Sequence, residues 1–358
     1  MSTALVEFEV GQLPVSSDQQ DGSAPAPRPE DVLTQLIIGN LASQAVYVAA
    51  KLGIADLLAE GPKSVDEIAR VTGSDSPSLY RVLRALAAGG VFEELPGRVF
   101  DLSPAAQGLR SNAAGSLRDL AIFWGEDWHW RVWGQSLYSV KTGRPAWGLV
   151  HGNEVFEYFQ ANANKAEIFD RAMTSASNLA INAVLEAFDF SGIETLVDIA
   201  GGHGALLKSI VSANPSMKGI LFDLPHVIDR ARETVGVPER CQLVSGDFFA
   251  GVPAGADAYI MKHIIHDWDD ERALQILTNI NRVMKDHARV LLVEAVISET
   301  SGMDFGKLLD IEMLVSAGGK ERTAAEYREL LARAGLRLNR IVPTKSPYSV
   351  IEAVGSGE

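Results

Sequence analysis

One cysteine, Cys241, stands in a chain of 358 residues. A single thiol excludes an intrachain disulfide and argues strongly against a thiolate metal site. It fits a reducing compartment, so cytoplasmic residence is expected. Positive charge is scarce too: 32 Lys and Arg face 46 Asp and Glu, a formal net charge of −14. Such a balance disfavours nucleic acid or an anionic membrane as partner. No uninterrupted apolar run reaches the ~18 residues of a membrane span. The opening MSTALVEFEV has no basic start followed by an apolar core, so no secretory signal is expected. A phosphate-binding G-K-[ST] loop is also missing. Aromatics make up only 7%, yet five of the six tryptophans crowd into FWGEDWHWRVWGQSLYSVKTGRPAW, residues 123–147.

The length predicts two domains, each with its own core. Residues 1–30, with SSDQQDGSAPAPRPED running into the next segment, are too polar and Pro/Gly-rich to offset their ordering entropy and read as a flexible arm. Residues 31–115 read as a helical, winged-helix-like domain. DVLTQLIIGNLASQAVYVAAKLGIADLLAEG carries helical spacing up to Gly61, with a broad apolar face of Leu33, Leu36, Ile37, Leu41, Val46, Leu52 and Leu57. That face suits either subunit contact or an internal core. Ser64 and Glu67 form a capping box, Gly73 breaks the chain, SPSLYRVLRALAAGG is a second amphipathic helix, and VFEELPGRVFDLS alternates around a Pro-Gly turn. Helix, turn, helix and hairpin also occur in DNA-binding domains, but among so many acids Arg81 and Arg84 are expected to be structural. Residues 116–190 read as a helical connector containing the tryptophan segment.

From residue 191 to 358, short apolar runs (TLVDIA, MKGILFDL, CQLVSGD, DAYIMK, ARVLLVEAV) alternate with helical stretches. This is the pattern of a doubly wound parallel sheet, whose ligands lie at the carboxyl ends of the strands. Polar residues collect there: Asp198, Asp223, Asp247, Lys262 to Asp267, and Glu294. Glycines 201, 202 and 204 follow the first strand, where a missing Cβ lets a ligand approach the backbone. The spacing is not G-x-G-x-x-G, which argues against a nicotinamide dehydrogenase. Asp223 closes the next strand, where an acid can bond ribose hydroxyls. Asp247 and Phe248 in SGDFF suit an adenine amino group and ring. A helix cap or loop bond is the alternative for each acid taken singly.

The stretches LVDIAGGHG, GILFDLPHVI, GDFF, DAYIMKHIIHDWDD, VEAVI and GGKERT resemble the caffeic-acid-type O-methyltransferases, S-adenosylmethionine-dependent enzymes, over residues 31 to 354. The resemblance implies a Rossmann-like class I methyltransferase domain preceded by a winged-helix dimerisation domain, and a homodimer joined through the amino-terminal helices. It implies that Ala200, Gly201, Gly202 and Gly204 back the methionine moiety of the cofactor, and that Ser177 meets its carboxylate. Asp223 would hold the ribose, Asp247 and Phe248 the adenine, and Lys262 would also touch the cofactor. His266 falls at the base position, with Glu294 and Glu321 holding its imidazole. The product is then S-adenosylhomocysteine, and the acceptor a small hydroxylated aromatic. Two departures stand out. Ala200 replaces the first glycine of the family's loop, and MLVSAGGKE is one residue shorter than in many plant members.

A neutral phenol, with a pKa near ~10 by analogy with tyrosine, is a poor nucleophile at neutral pH. A histidine within reach can take its proton, typically contributing ~10²–10⁴-fold. The acceptor pocket is expected to include Trp124, Trp128, His263 and the stretch from Met313 to Ala317. Asp267 is read either as an acceptor contact or as the cap of the helix at DDERALQIL. No metal is expected, since His263, His266 and Asp267 share one short loop and cannot surround an ion. The rival functions are N- or C-methylation, a divergent non-methylating reaction on the same fold, and a metabolite-binding winged-helix regulator.

Overall fold

The computed structural model describes residues 28–234 and 238–356. The chain folds as two compact units. One holds the residues up to Arg131 together with Phe159–Ala176, and the other Val132–Tyr158 together with the chain from Ser177 onward. Most of the arm expected over residues 1–30 lies outside the described residues.

In the first unit, helix α1 (Pro29–Lys51) stops two residues short of Gly53, whose left-handed φ of 66° starts a separate short helix, Ile54–Leu58. The single long helix expected up to Gly61 is therefore broken at this glycine. The apolar face also divides. Ala49 and Ala50 are buried, and Val46, Leu52 and Leu57 pack against the same core. Leu33, Leu36, Ile37 and Leu41 face outward, the last two each 66% exposed. Among the described residues α1 is the one helix long and apolar enough to cross a membrane. The Ser64–Glu67 capping box forms as read, and Gly73 ends its helix in the left-handed region. Phe92–Leu95 and Val99–Leu102 pair antiparallel around the Pro-Gly turn, with Lys63–Ser64 as a third strand. Arg81 and Arg84 are exposed on the helix Ser76–Ala88, and the Arg84 guanidinium lies 5.6 Å from the Tyr80 ring centroid.

In the second unit a seven-stranded sheet is built from β1 (Thr195–Ile199), β2 (Lys218–Asp223), β3 (Cys241–Ser245), β4 (Ala258–Lys262), β5 (Arg289–Glu294), β6 (Leu336–Pro343) and β7 (Ser349–Gly355). Their order across the sheet is β6-β7-β5-β4-β1-β2-β3. The first five strands are parallel, and β6 and β7 form an antiparallel edge. The sheet is thus mixed rather than wholly parallel. Side chains alternate between two cores: Leu196, Ile260, Leu291 and Val293 pack with the helix α2 (Ala205–Ala213), whereas Val197, Tyr259, Met261 and Leu292 pack with α3 (Asp270–Val283) and α4 (Ala324–Arg333). Covering on both faces explains why β4 and β5 read as continuous apolar runs without alternation. It also delivers the doubly wound arrangement that the sequence pattern predicts. The strand order reverses between β1 and β4, and the polar loops open at that switch point.

Candidate active site

The carboxyl ends of β1, β2 and β4 place one group of residues. After β1 the chain turns at Ala200, which adopts a left-handed φ of 54° and donates its N–H to the Phe222 carbonyl at 2.7 Å. Alanine therefore occupies a conformation that glycine adopts more cheaply, by about 1 kcal/mol. At Gly201 no side chain fits, since a Cβ would lie 2.5 Å from both Asp198 Oδ2 and a Leu221 methyl. Asp223, at the end of β2, accepts N–H bonds from Gly202 at 2.9 Å and Leu224 at 2.7 Å. Burial raises its pKa, and those two amides oppose the shift. The Lys262 ammonium, at the end of β4, donates to Ser177 Oγ at 2.6 Å. Desolvation lowers its pKa, opposed by the charges of Asp198 and Glu294. Asp198 is buried, its Oδ2 has no partner among the described residues, and burial pushes its pKa up to about 7.

A buried ammonium, a hydroxyl and an unpartnered carboxylate oxygen are a costly set unless a ligand completes them. A zwitterionic amino-acid end, such as the methionine moiety of S-adenosylmethionine, has complementary charges for each. The residues present therefore fit that group. Asp198 was visible in the sequence only as one of several strand-end acids, and its missing partner is a tertiary fact. Beyond β3, Asp247 is exposed and accepts the Phe249 N–H at 2.8 Å, so the loop bond considered for it is made. The Phe248 ring lies 4.7 Å from that of Phe249 and 6.1 Å from Trp268.

The second group gathers around the turn after β4. Glu294 closes β5, and its Oε1 accepts the backbone N–H groups of Ile264 and Ile265 at 3.0 and 2.9 Å. Two-residue strands, Val296–Ile297 and Arg322–Thr323, pair in parallel and carry Glu321 to the same place. The Glu321 N–H is fastened to Asp310 Oδ1 at 2.9 Å. His266 Nδ1 lies 2.6 Å from Glu321 Oε1 and 3.5 Å from Glu294 Oε2. Only the first distance is a hydrogen bond, so the two glutamates are not equivalent. Both are fully buried side chains, and the second oxygen of each has no partner.

Burial alone would lower the His266 pKa, but the charges of Glu294, Glu321 and Asp267 overcome it and hold the imidazole up to about 10. Burial likewise pushes Glu294 up to about 7, against the pull of His266. A carboxylate on Nδ1 favours the proton there, so that once the ring has lost its second proton Nε2 is the acceptor. His266, Glu294 and Glu321 could also, by distance, surround a cation, a set the sequence did not suggest.

Asp267 Oδ1 lies 3.6 Å from Nε2, and burial raises its pKa to about 6. It is not the helix cap, because Asp269 accepts the Arg272 N–H that begins α3. His263 has a left-handed φ of 56°, and its ring centroid lies 5.6 Å from that of His266 and 4.1 Å from that of Tyr348. Burial and the nearby Lys262 and His266 hold it neutral, well below 6.5. Met313 and Ala317 bound a π-helical turn that packs against the His266 turn.

The tryptophan segment divides between the units. Trp124 and Trp128 belong to the first, where Trp128 is packed edge-on to Phe159 with ring centroids 5.8 Å apart. Trp133 and Trp147 belong to the second, and Trp133 Nε1 donates to the buried Glu312 at 2.5 Å. Sequence reasoning did not single out Trp133, Glu312, Tyr348 or Arg322. Each is an ordinary residue until tertiary contacts give it a partner or bury it.

Comparison with known proteins identifies the family. Residues 133–337 match the O-methyltransferase domain family, and residues 34–111 match the O-methyltransferase dimerisation domain. The phenazine O-methyltransferase PhzM of Lysobacter antibioticus is 43% identical over 325 residues, covering 90% of this chain and 95% of the relative. The phenazine-1-carboxylate N-methyltransferase of Pseudomonas aeruginosa is 33% identical over 313 residues, covering 87% of this chain and 92% of the relative. The crystal structure of the neocarzinostatin-biosynthesis O-methyltransferase NcsB1, in complex with S-adenosylhomocysteine and 1,4-dihydroxy-2-naphthoic acid, superposes with a TM-score of 0.71. That enzyme is 31% identical, and the match covers 87% of this chain and 95% of its own. With both domains matched in order and the sheet in the expected arrangement, the chain belongs to the S-adenosylmethionine-dependent O-methyltransferase family.

Proposed function

We propose that this methyltransferase acts on a phenolic hydroxyl of a small, flat aromatic metabolite of specialised biosynthesis, with His266 as general base. The observation that carries the reading is the short contact from His266 Nδ1 to Glu321, which favours the tautomer whose Nε2 accepts a proton once the ring is neutral. Bound S-adenosylmethionine supplies an electrophilic methyl group. On the protein side, Lys262 and Ser177 take the carboxylate of its methionine end and Asp198 the ammonium, while the loop from Ala200 to Gly204 lies along it. Asp223 holds the ribose hydroxyls, and Asp247 and Phe248 the adenine. His266 Nε2 takes the phenolic proton as the oxygen becomes methylated, and Glu321 and Glu294 stabilise the imidazolium. Asp267 and His263 contact the acceptor, with Met313 and Ala317 lining its pocket.

An imidazole held up to about 10 is closely matched to a phenol of pKa ~10, so proton transfer between them is nearly isoenergetic. The phenazine and naphthoic acid chemistry in the relatives' names supports an aromatic acceptor of one or more fused rings. The test is incubation with S-adenosylmethionine and a library of phenols and hydroxyquinones, reading mass gain and then the methylated atom by NMR. A methyl found only on nitrogen would favour the second reading, N-methylation, which the N-methyltransferase relative keeps in play. The outward face of α1 and the dimerisation-domain match together support a homodimer.

A further inference from the structure

We propose that Arg322 is a positioning residue for the reaction, a clamp that holds the His266 turn by its carbonyl groups. The inference rests on His266 being the base, and adds a residue that acts through it. Arg322 follows Glu321 directly and is fully buried. Its guanidinium uses every donor it has. Nε and one terminal nitrogen donate to Asp270 Oδ1 at 3.1 and 2.8 Å. That same terminal nitrogen reaches the Trp268 carbonyl at 3.0 Å. The other reaches the carbonyls of Ile265 at 3.1 Å and Lys320 at 3.3 Å.

The Ile265 and Trp268 carbonyls bracket His266 and Asp267 in the chain. From the opposite side, Glu294 grips the N–H groups of Ile264 and Ile265. Gly319 closes the remaining side, where a Cβ would lie 1.9 Å from the His266 carbonyl oxygen. The backbone that carries the imidazole is therefore held on its amide side by one buried side chain and on its carbonyl side by another.

Placing an arginine there is costly. Removing a guanidinium from water carries a large desolvation cost, and one carboxylate, Asp270, pairs with it. Apolar packing would stabilise a core more cheaply. What arginine adds is a planar fork with five fixed donors, which a lysine ammonium cannot reproduce. Because the Nδ1–Glu321 contact is short, a small displacement of the turn breaks it. A misplacement of about 1 Å at a reacting group can lower the rate by about 10²-fold.

The experiment uses full-length Arg322→Ala and Arg322→Lys beside His266→Ala. For Arg322→Ala we expect kcat to fall about 10²-fold with S-adenosylhomocysteine affinity, read by calorimetry, nearly intact. The pH–rate ascent should move toward that of an unconstrained histidine, and free guanidinium ion should restore part of kcat where an equal concentration of sodium does not. Arg322→Lys should share the kcat defect, although it keeps the charge and leaves a smaller void. If Arg322→Ala does not fold, Arg322→Lys decides alone by its kcat and pH profile. Wild-type kcat and pH profile in either folded variant would overturn the clamp. Parallel loss of cofactor affinity and activity without guanidinium rescue would overturn it too, leaving Arg322 with a structural role only. Failure of the underlying reading looks different: His266→Ala would then methylate neutral phenols at the wild-type rate, whatever Arg322 does.

Discussion

His266 concentrates the chemistry of the site, and its neighbours determine how it titrates. With the imidazole held up to about 10, kcat/KM for a neutral phenol should climb with pH well beyond 6.5. The sign follows from the proposed mechanism, because a base works only after losing its proton. His266, Glu294 and Glu321 titrate as a unit, so the measured values belong to the cluster. His266→Ala should abolish the ascent and lower kcat by roughly 10²–10⁴. An acceptor already ionised at assay pH should partly escape that loss, and a flat profile for neutral phenols would refute base catalysis. The unequal distances rank the glutamates. Glu321→Gln should lower kcat more than Glu294→Gln, because a glutamine carbonyl at position 294 can still accept the two backbone amides. Equal losses in steady-state assays would argue against the ranking. At Ala200 the strain is conformational, so Ala200→Gly should raise stability in denaturant melts by up to about 1 kcal/mol. A loss there would mean that the alanine methyl has a packing role.

The elements matter because they end where the chemistry is needed. Side chains along β1, β4 and β5 alternate between two helix layers, and that burial fixes their register. A slip of one residue in β5 would turn Glu294 away from the His266 turn. Asp223 belongs to this scale as well, since it holds the glycine loop by Gly202 and is proposed to hold the ribose. Asp223→Ala should weaken S-adenosylhomocysteine binding by about 2–4 kcal/mol, read by calorimetry. Unchanged affinity would remove Asp223 from the cofactor site. The strands themselves were legible, because short apolar runs separated by helical spacing have few stable arrangements, all built on a mostly parallel sheet covered by helices. The antiparallel edge of β6 and β7 was not foreseen, since the direction of a strand is set by its partners in the sheet.

For the whole molecule the open feature is the exposed apolar band of α1, with Val32, Leu33, Leu36, Ile37 and Leu41. Contiguous apolar surface of this kind marks an interaction site. Light scattering should give a dimer at micromolar concentration, and Leu36→Asp with Ile37→Asp should shift it toward monomer. A wild-type monomer with full activity would show that the face serves another purpose.

The sequence by itself determined the fold class, through short apolar runs alternating with helical spacing, glycines after a strand, and acids at strand ends. Resemblance to the family named the cofactor and grouped His266, Glu294 and Glu321 as an expected site, and the structure brings ligand atoms of these three side chains within 4.8 Å of one another. Only the tertiary structure decided that Glu321, 55 residues away, makes the hydrogen bond while Glu294 mainly holds the backbone. It also decided that Asp269 rather than Asp267 caps the next helix, and that Arg322 is buried against that turn. The reason is physical. A carboxylate or guanidinium reads the same in sequence whether water or protein surrounds it, and the partners that decide its role come from segments far apart in the chain.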